Sequence, residues 1–367
     1  MKSISDISKY SITAPEILFR SHSDTTSDKE KMKLVFLSGI TWDSCIGGRT
    51  VQLAKAAALS HEVHFVTIPG LRHWKAGVKQ SHNVTIHTLL PKSDKLPGLV
   101  RAYLNHKINL QDACVIVSNP LWEPIVSRLT AKKIIYDQLD YFAVHAPKGK
   151  HLNRLRQKEE NLMRKADVIT TVSRRLQSYS AYPDKTILLP NGVPESFLKQ
   201  SVEFPSKKVI GFHGALYEWI DYDLLAGIAD TFPDCTLRLA GTVRNPDWLQ
   251  TLKKKSNVEI LPAFAFENLP EIINGFSVGI IPFKSDEVSL CADPLKSYEY
   301  LALGKSVVTT VPSAADGDTS RLVSKDRFCA EIADLLNTLP SPEICRKSAE
   351  QHTWEERCRI LCQIAEQ

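Results

Sequence analysis

Twelve short apolar runs, most of them separated by helical patterns, limit the folds open to this chain more than any other feature. Seven lie in the first half, at 34–37, 63–68, 84–87, 114–118, 134–136, 168–172 and 186–189. Five lie in the second, at 209–213, 236–240, 258–261, 278–282 and 307–311. Runs that are continuously apolar suit strands buried on both faces, and intervening helices are the crossovers that parallel strands need. At 367 residues the chain is too long for one ordinary core and suits two. The sequence therefore predicts two doubly wound, Rossmann-like α/β domains facing a cleft, at residues 31–200 and 205–350. The turn-rich stretch that begins Asn191-Gly192-Val193-Pro194 and ends at Pro205 joins them. Residues 351–367 read as a final amphipathic helix with a capping-box-like start at Thr353, and residues 1–30, rich in Ser, Thr, Asp and Lys, as a mobile tail.

No run of about 18 apolar residues occurs, so no membrane-spanning helix is expected. The first thirty residues lack the apolar stretch of a signal peptide, which points to a cytoplasmic protein. The eight cysteines are scattered with no Cys-x-x-Cys pair and read as reduced core residues; Cys358 and Cys362 share a helix face. Charge becomes informative once divided. Residues 31–200 hold 25 Lys and Arg against 12 Asp and Glu, net +13, whereas residues 201–367 hold 17 against 24, net −7. A basic first half suggests an anionic partner, either a membrane surface, a phosphorylated acceptor or nucleic acid, set against an ordinary solvated face. Arg72, Lys75 and Lys79 around Trp74, with Arg101 and Lys107 near Leu99, are the candidate contacts for an anionic membrane. No Arg- or Lys-rich helix or nucleic-acid motif is present, which argues against nucleic acid.

Ligands of doubly wound sheets bind beyond the carboxyl ends of the strands, so the loops there carry the candidates. The first loop, Ser38 to Arg49, includes Gly47 and Gly48 before a helix beginning near Thr50. Glycines at such a place let a substrate approach the backbone, although a tight strand-to-helix turn uses them equally well. It is no Gly-x-Gly-x-x-Gly. After the fifth run, Tyr136-Asp137-Gln138-Leu139-Asp140-Tyr141 places two carboxylates three apart among aromatics able to stack on sugar rings. Asp140 is the favoured acid-base group and Asp137 the second, with helix capping as the plainer alternative. Trp42, Asp43, Arg49 and Tyr141 are the expected acceptor contacts. In the second half, His213 and the Gly214 amide follow a strand and face the cleft from the other side. Asp221-Tyr222-Asp223 and Asp316-Gly317-Asp318 match a metal-holding Asp-x-Asp but read as a helix cap and a turn, so no metal or other cofactor is required.

The segment Asp293-Pro294-Leu295-Lys296-Ser297-Tyr298-Glu299-Tyr300-Leu301-Ala302-Leu303-Gly304-Lys305 reads as a helix capped by Asp293, started by Pro294 and stopped by Gly304. Lys296 and Glu299, three apart near its start, point together into whatever the N-terminus faces. Lys296 with the helix N-terminus favours a diphosphate, and a carboxylate one turn on can accept hydrogen bonds from both ribose hydroxyls. An ordinary solvated pair on an amphipathic helix is the competing reading.

This segment, with Ala166 to Ser173 and Leu189-Pro190-Asn191-Gly192-Val193, resembles the glycosyltransferases of the GT-B fold that use nucleotide-sugars, over residues 33–365. The resemblance implies that Glu299 binds the donor ribose and that Gly47 and Gly48 approach the donor sugar and phosphate. The carboxylate that relatives often carry eight positions earlier is Cys291 here, leaving Asp293 as a substitute. The Arg and Lys that many relatives carry after the Gly214 loop are missing from Tyr217 to Asp223. More of the diphosphate charge therefore falls on Lys296, with Lys284 in support. The implied activity is transfer of a sugar from a nucleotide-sugar, such as a UDP-sugar, to a hydroxyl of a glycan or lipid-linked acceptor. The setting would be bacterial surface polysaccharide synthesis, with retention of configuration, by an enzyme cytoplasmic or peripheral on the inner membrane face. A nucleotide-sugar epimerase on the same fold and a non-enzymatic nucleic-acid-binding protein are the alternatives.

Overall fold

The computed structural model describes residues 31–44, 47–70, 76–142 and 149–367. The tail at 1–30 and the candidate residues Arg72, Trp74 and Lys75 lie outside them. The first half forms β1 (Lys33–Ser38), β2 (Glu62–Thr67), β3 (Gly77–Ser81), β4 (Val84–Thr88), β5 (Ala113–Val117), β6 (Lys133–Gln138), β7 (Val168–Thr171) and β8 (Thr186–Leu188). They make one eight-stranded sheet in the order β3-β4-β2-β1-β5-β6-β7-β8. All pairs in it are parallel except β3 with β4. The second half forms β9 (Val209–His213), β10 (Thr236–Ala240), β11 (Val258–Leu261), β12 (Val278–Ile281), β13 (Val307–Thr309) and β14 (Ser320–Leu322). This sheet has the order β11-β10-β9-β12-β13-β14 and is parallel throughout. In both sheets the strand order reverses beside the first strand, β1 or β9, and that reversal opens a crevice where a ligand can sit.

Every apolar run became a strand. β3 and β14 are additional, and neither carries the buried apolar pattern: β3 is a largely exposed edge, and β14 is three residues long with only Ser320 buried. β3 exists because His82 and Asn83 adopt left-handed φ of 52° and 60°, the backbone of a two-residue hairpin turn. His-Asn is a weaker signal for that turn than Asn-Gly.

Apolar side chains cover both faces of the first sheet. One face carries Leu34, Phe36, Phe65 and Ile116, and it is completed by Trp354, Leu361 and Ile364 from the final helix Trp354–Glu366. The Thr353 side chain caps that helix by accepting from the Glu356 amide at 3.2 Å. The chain's last helix is therefore part of the core of its first sheet, while the residues just before it pair with the linker at Val193. Cys358 and Cys362 lie in this core with their Sγ atoms 3.8 Å apart. Asp221 caps the helix Tyr222–Thr231, accepting from the Leu224 amide at 2.8 Å, as its spacing predicts.

Candidate active site

The helix Leu295–Ala302 starts one residue later than the sequence suggests, with Pro294 at the N-cap and no side-chain cap. Asp293 is not its cap. Instead Asp293 turns inward and accepts from the Tyr298 hydroxyl at 2.7 and 2.8 Å, the Asn191 amide at 2.6 Å and the Ser313 hydroxyl at 3.2 Å. Burial pushes its carboxyl above the ordinary aspartate range, and these donors hold it back. Asp293 is thus committed to the interior and leaves no oxygen for a sugar.

Lys296 and Glu299 do point together, Glu299 buried and Lys296 half-buried. Glu299 Oε2 lies 3.1 Å from His213 Nε2, a hydrogen-bond distance without hydrogen-bond direction. His213 is held at the end of β9, its amide donating to the Tyr300 hydroxyl at 3.1 Å. Burial lowers the imidazole's pKa against the pull of Glu299. His213 therefore lies against Glu299, within electrostatic reach of Lys296. Lys296 Nζ sits 5.4 Å from the Phe212 ring centre and 5.7 Å from that of Phe283, with no carboxylate in ion-pair contact among the described residues. Burial pushes its pKa down and Glu299 raises it again. A desolvated cation attended only by aromatic faces and a carboxylate out of ion-pair reach is a place where an arriving anion gains most.

Gly214 matters for room and not for its amide, which already donates to the Ala240 carbonyl at 2.8 Å. Its φ is +115°, and a Cβ there would come within 2.9 Å of Lys296 Nζ. Lys284 is exposed and its Nζ donates to the Glu218 carbonyl at 2.6 Å.

Across the cleft, several expected contacts have other duties. Trp42 is buried edge-on against Phe65, with ring centres 5.1 Å apart, and belongs to the core. Arg49 and Asp137 form a buried two-pronged pair at 2.9 and 2.8 Å, and Asp137 also accepts from the Thr170 hydroxyl at 2.7 Å. Neither reaches an acceptor, because each has consumed its polar groups internally. Asp43 is exposed and paired with Lys79 at 2.6 Å. Gly48 starts the helix Arg49–Ala57 and its carbonyl accepts from Val51 and Gln52, while a Cβ on Gly47 would strike the Phe266 ring at 2.6 Å. That close approach is a reason for glycine at 47 that the sequence does not disclose. Asp140 stays half-buried at the carboxyl end of β6, one oxygen accepting from the Tyr141 amide at 2.7 Å. Tyr141 packs near Tyr179, Val172 and Cys291. Burial pushes the Cys291 thiol up to about 12, and its carbonyl accepts from the Ser173 hydroxyl at 2.7 Å. So the residue standing where relatives often place a carboxylate here closes the contact between the two halves.

Asn191 lies between both halves of this site, bonded to Arg49 on one side and Asp293 on the other. No local pattern signals that, since its partners are more than 100 residues away on either side.

Two doubly wound parallel sheets, with a last helix returned to the first, define the GT-B class of folds, and solved structures bear this out. Sucrose-phosphate synthase from Thermosynechococcus elongatus superposes with a TM-score of 0.69 at 14% identity, over 92% of this chain and 98% of that one. Alr3699/HepE from Anabaena, solved with UDP and glucose, gives 0.64 at 15% identity over 91% and 98%. Residues 207–339 match the family model described as Glycosyl transferases group 1, which spans the second sheet and the helix bearing Lys296 and Glu299. In sequence the chain is 26% identical over 243 residues to a candidate teichuronic acid biosynthesis glycosyltransferase, TuaH, of Bacillus subtilis. That match covers 60% of this chain and 61% of the relative. The resemblance read at Glu299 thus falls inside the stretch that matches the family.

Proposed function

We propose that this protein transfers a sugar from a nucleotide-sugar, a UDP-sugar first among them, to a hydroxyl of a glycan or glycolipid acceptor in surface polysaccharide synthesis, with retention of configuration. The observation that carries the reading is Lys296, a half-buried cation with no ion-pair partner among the described residues, one turn from Glu299 on the same helix. A diphosphate supplies the negative charge that Lys296 lacks, and the ribose hydroxyls supply donors for Glu299. As the bond between sugar and diphosphate breaks, charge grows on the leaving oxygen, and a fixed, partly desolvated cation stabilises that growth. Asp140, half-buried at the facing strand end, is the group assigned to the acceptor hydroxyl. The relative named for teichuronic acid synthesis and the neighbour solved with UDP and glucose support the acceptor class and the nucleotide.

The test is binding. Calorimetric titration with UDP, ADP and GDP should show one binder, and Glu299→Gln should weaken it roughly ten- to a hundredfold, the effect of losing a charged acceptor worth about 1.5–3 kcal/mol. Titrations that the substitution leaves unchanged would remove Glu299 from the ribose.

We further propose that the acceptor is met at an anionic membrane surface. No helix among the described residues is long and apolar enough to cross a membrane, so contact would be peripheral. Leu90, Leu96 and Leu99 are 60%, 56% and 67% exposed, beside exposed Lys92, Lys95 and Lys107. This surface adjoins a cavity of about 350 Å³ beyond β2, lined in part by Pro69, Lys92 and Lys95. Lys79 is a poorer contact than its sequence suggests, being held by Asp43, and Arg101 leans on the Pro124 carbonyl at 3.4 Å. Each cation near an anionic surface contributes about 1 kcal/mol. Binding to vesicles containing phosphatidylglycerol should fall with salt and drop about tenfold or more in a Lys92→Gln, Lys95→Gln double variant. Equal partition onto neutral and anionic vesicles would leave the basic half to a soluble acceptor.

A further inference from the structure

Asn191 has all four of its polar groups engaged, and the partners come from three separate parts of the fold. Its amide donates to Asp293 Oδ2 at 2.6 Å and its side-chain Nδ2 to the Asp293 carbonyl at 2.6 Å. Its Oδ1 accepts from Arg49 Nη1 at 3.2 Å, and its carbonyl accepts from Arg357 Nε at 3.0 Å. Arg49 directly follows the Gly47-Gly48 turn on one side of the cleft and is itself fixed by Asp137 and the Pro190 carbonyl. Asp293 lies two residues before the helix with Lys296 and Glu299 on the other side, and it holds Tyr298, which lies between those two residues in sequence. The residue after Asn191 leaves no slack: a Cβ on Gly192 would come 2.8 Å from the His352 carbonyl.

We infer that Asn191 is a positioning residue whose bonds to Arg49 and Asp293 couple occupancy of the Lys296–Glu299 site to the placement of the glycine turn across the cleft. The inference rests on the donor reading given above. The physical reason is stiffness. Asn191, Asp293 and Arg49 are all buried and linked by hydrogen bonds through Asn191, so neither the helix nor the turn can shift alone without stranding a polar group in the interior. A ligand that binds Lys296 and shifts its helix therefore draws Asp293, Asn191 and Arg49 with it, and the coupling is reciprocal.

Hydrogen exchange of the full chain with and without UDP, ADP and GDP tests this. With the diphosphate that binds, amides of the helix Leu295–Ala302 and of the helix Arg49–Ala57 should both exchange more slowly, the latter by about fivefold or more. Asn191→Ala removes both side-chain links and keeps the two made by the backbone. Asn191→Asp keeps the acceptor for Arg49 and loses the donor to Asp293. Both should hold diphosphate affinity within about threefold and keep the protection at Leu295–Ala302, but only Asn191→Ala, which breaks the bond to Arg49, should lose it at Arg49–Ala57. A response at Arg49–Ala57 that persists in Asn191→Ala overturns the coupling, as does a wild-type protein that binds diphosphate with no response there. A wild-type protein that binds none of the three overturns the donor reading and the coupling with it.

Discussion

Lys296→Met should lower turnover about a hundred- to a thousandfold, the range seen when one fixed group facing a transition-state charge is removed. The same substitution should leave thermal stability unchanged or raise it. Both halves of this expectation follow from one observation: Lys296 lies half-buried against Phe212 and Phe283 with no carboxylate in ion-pair contact among the described residues. Partly desolvating an ammonium without such a partner is unfavourable, and Met fills nearly the same volume without charge. Function and stability therefore pull in opposite directions here, as they do where a site is built for a ligand. If Lys296→Met melts well below wild type while turnover with UDP-glucose, or with whichever donor the titrations select, is unchanged, Lys296 is a packing residue and the diphosphate assignment fails.

The second large effect is on folding. Asp137→Asn leaves the buried Arg49 guanidinium without its counter-charge, and breaking one side of such a pair costs about 3–5 kcal/mol. Set against a total stability of about 5–15 kcal/mol, that is a large fraction, and the melting temperature should fall by roughly 5–10 °C. Asp140→Asn should do the reverse. Its carboxylate is half-buried at a strand end, so the fold should tolerate the change within about 1 kcal/mol while turnover drops and nucleotide binding holds. The two aspartates stand three residues apart with the same chemistry, and only the calorimeter and the assay together distinguish them. A silent Asp140→Asn beside a well-folded, inactive Asp137→Asn would exchange the assignments.

How far the candidate site was legible depends on how far apart its members lie in the chain. Lys296 and Glu299 share one helix, and helical spacing alone brings them to one face. The same holds for Asp221 as a cap and for Thr353 at the start of the last helix, where donor and acceptor are three residues apart. Residues judged by type and loop position fared differently. Trp42, Arg49 and Asp137 all sit at the carboxyl ends of strands or just beyond, where ligands bind, and all three proved to face inward. An aspartate in such a loop has the same local sequence whether it meets an arginine 88 residues away or a substrate. Pairing across that distance is decided by which side chains the packed sheets leave facing one another.

The sequence by itself determined the two parallel sheets, their strands apart from β3 and β14, and the helix that carries Lys296 and Glu299. Each of these is written in periods of apolar residues, in caps and in breakers that act over a few positions. Only the tertiary structure decided that Asp293 holds Asn191 instead of capping a helix, that Gly214 makes room for Lys296 and that Gly47 makes room for Phe266. It also decided that Lys296 is left without an ion-pair partner among the described residues. Those outcomes depend on burial, and burial of a polar group forces it to find whatever partner the folded chain brings within about 3 Å.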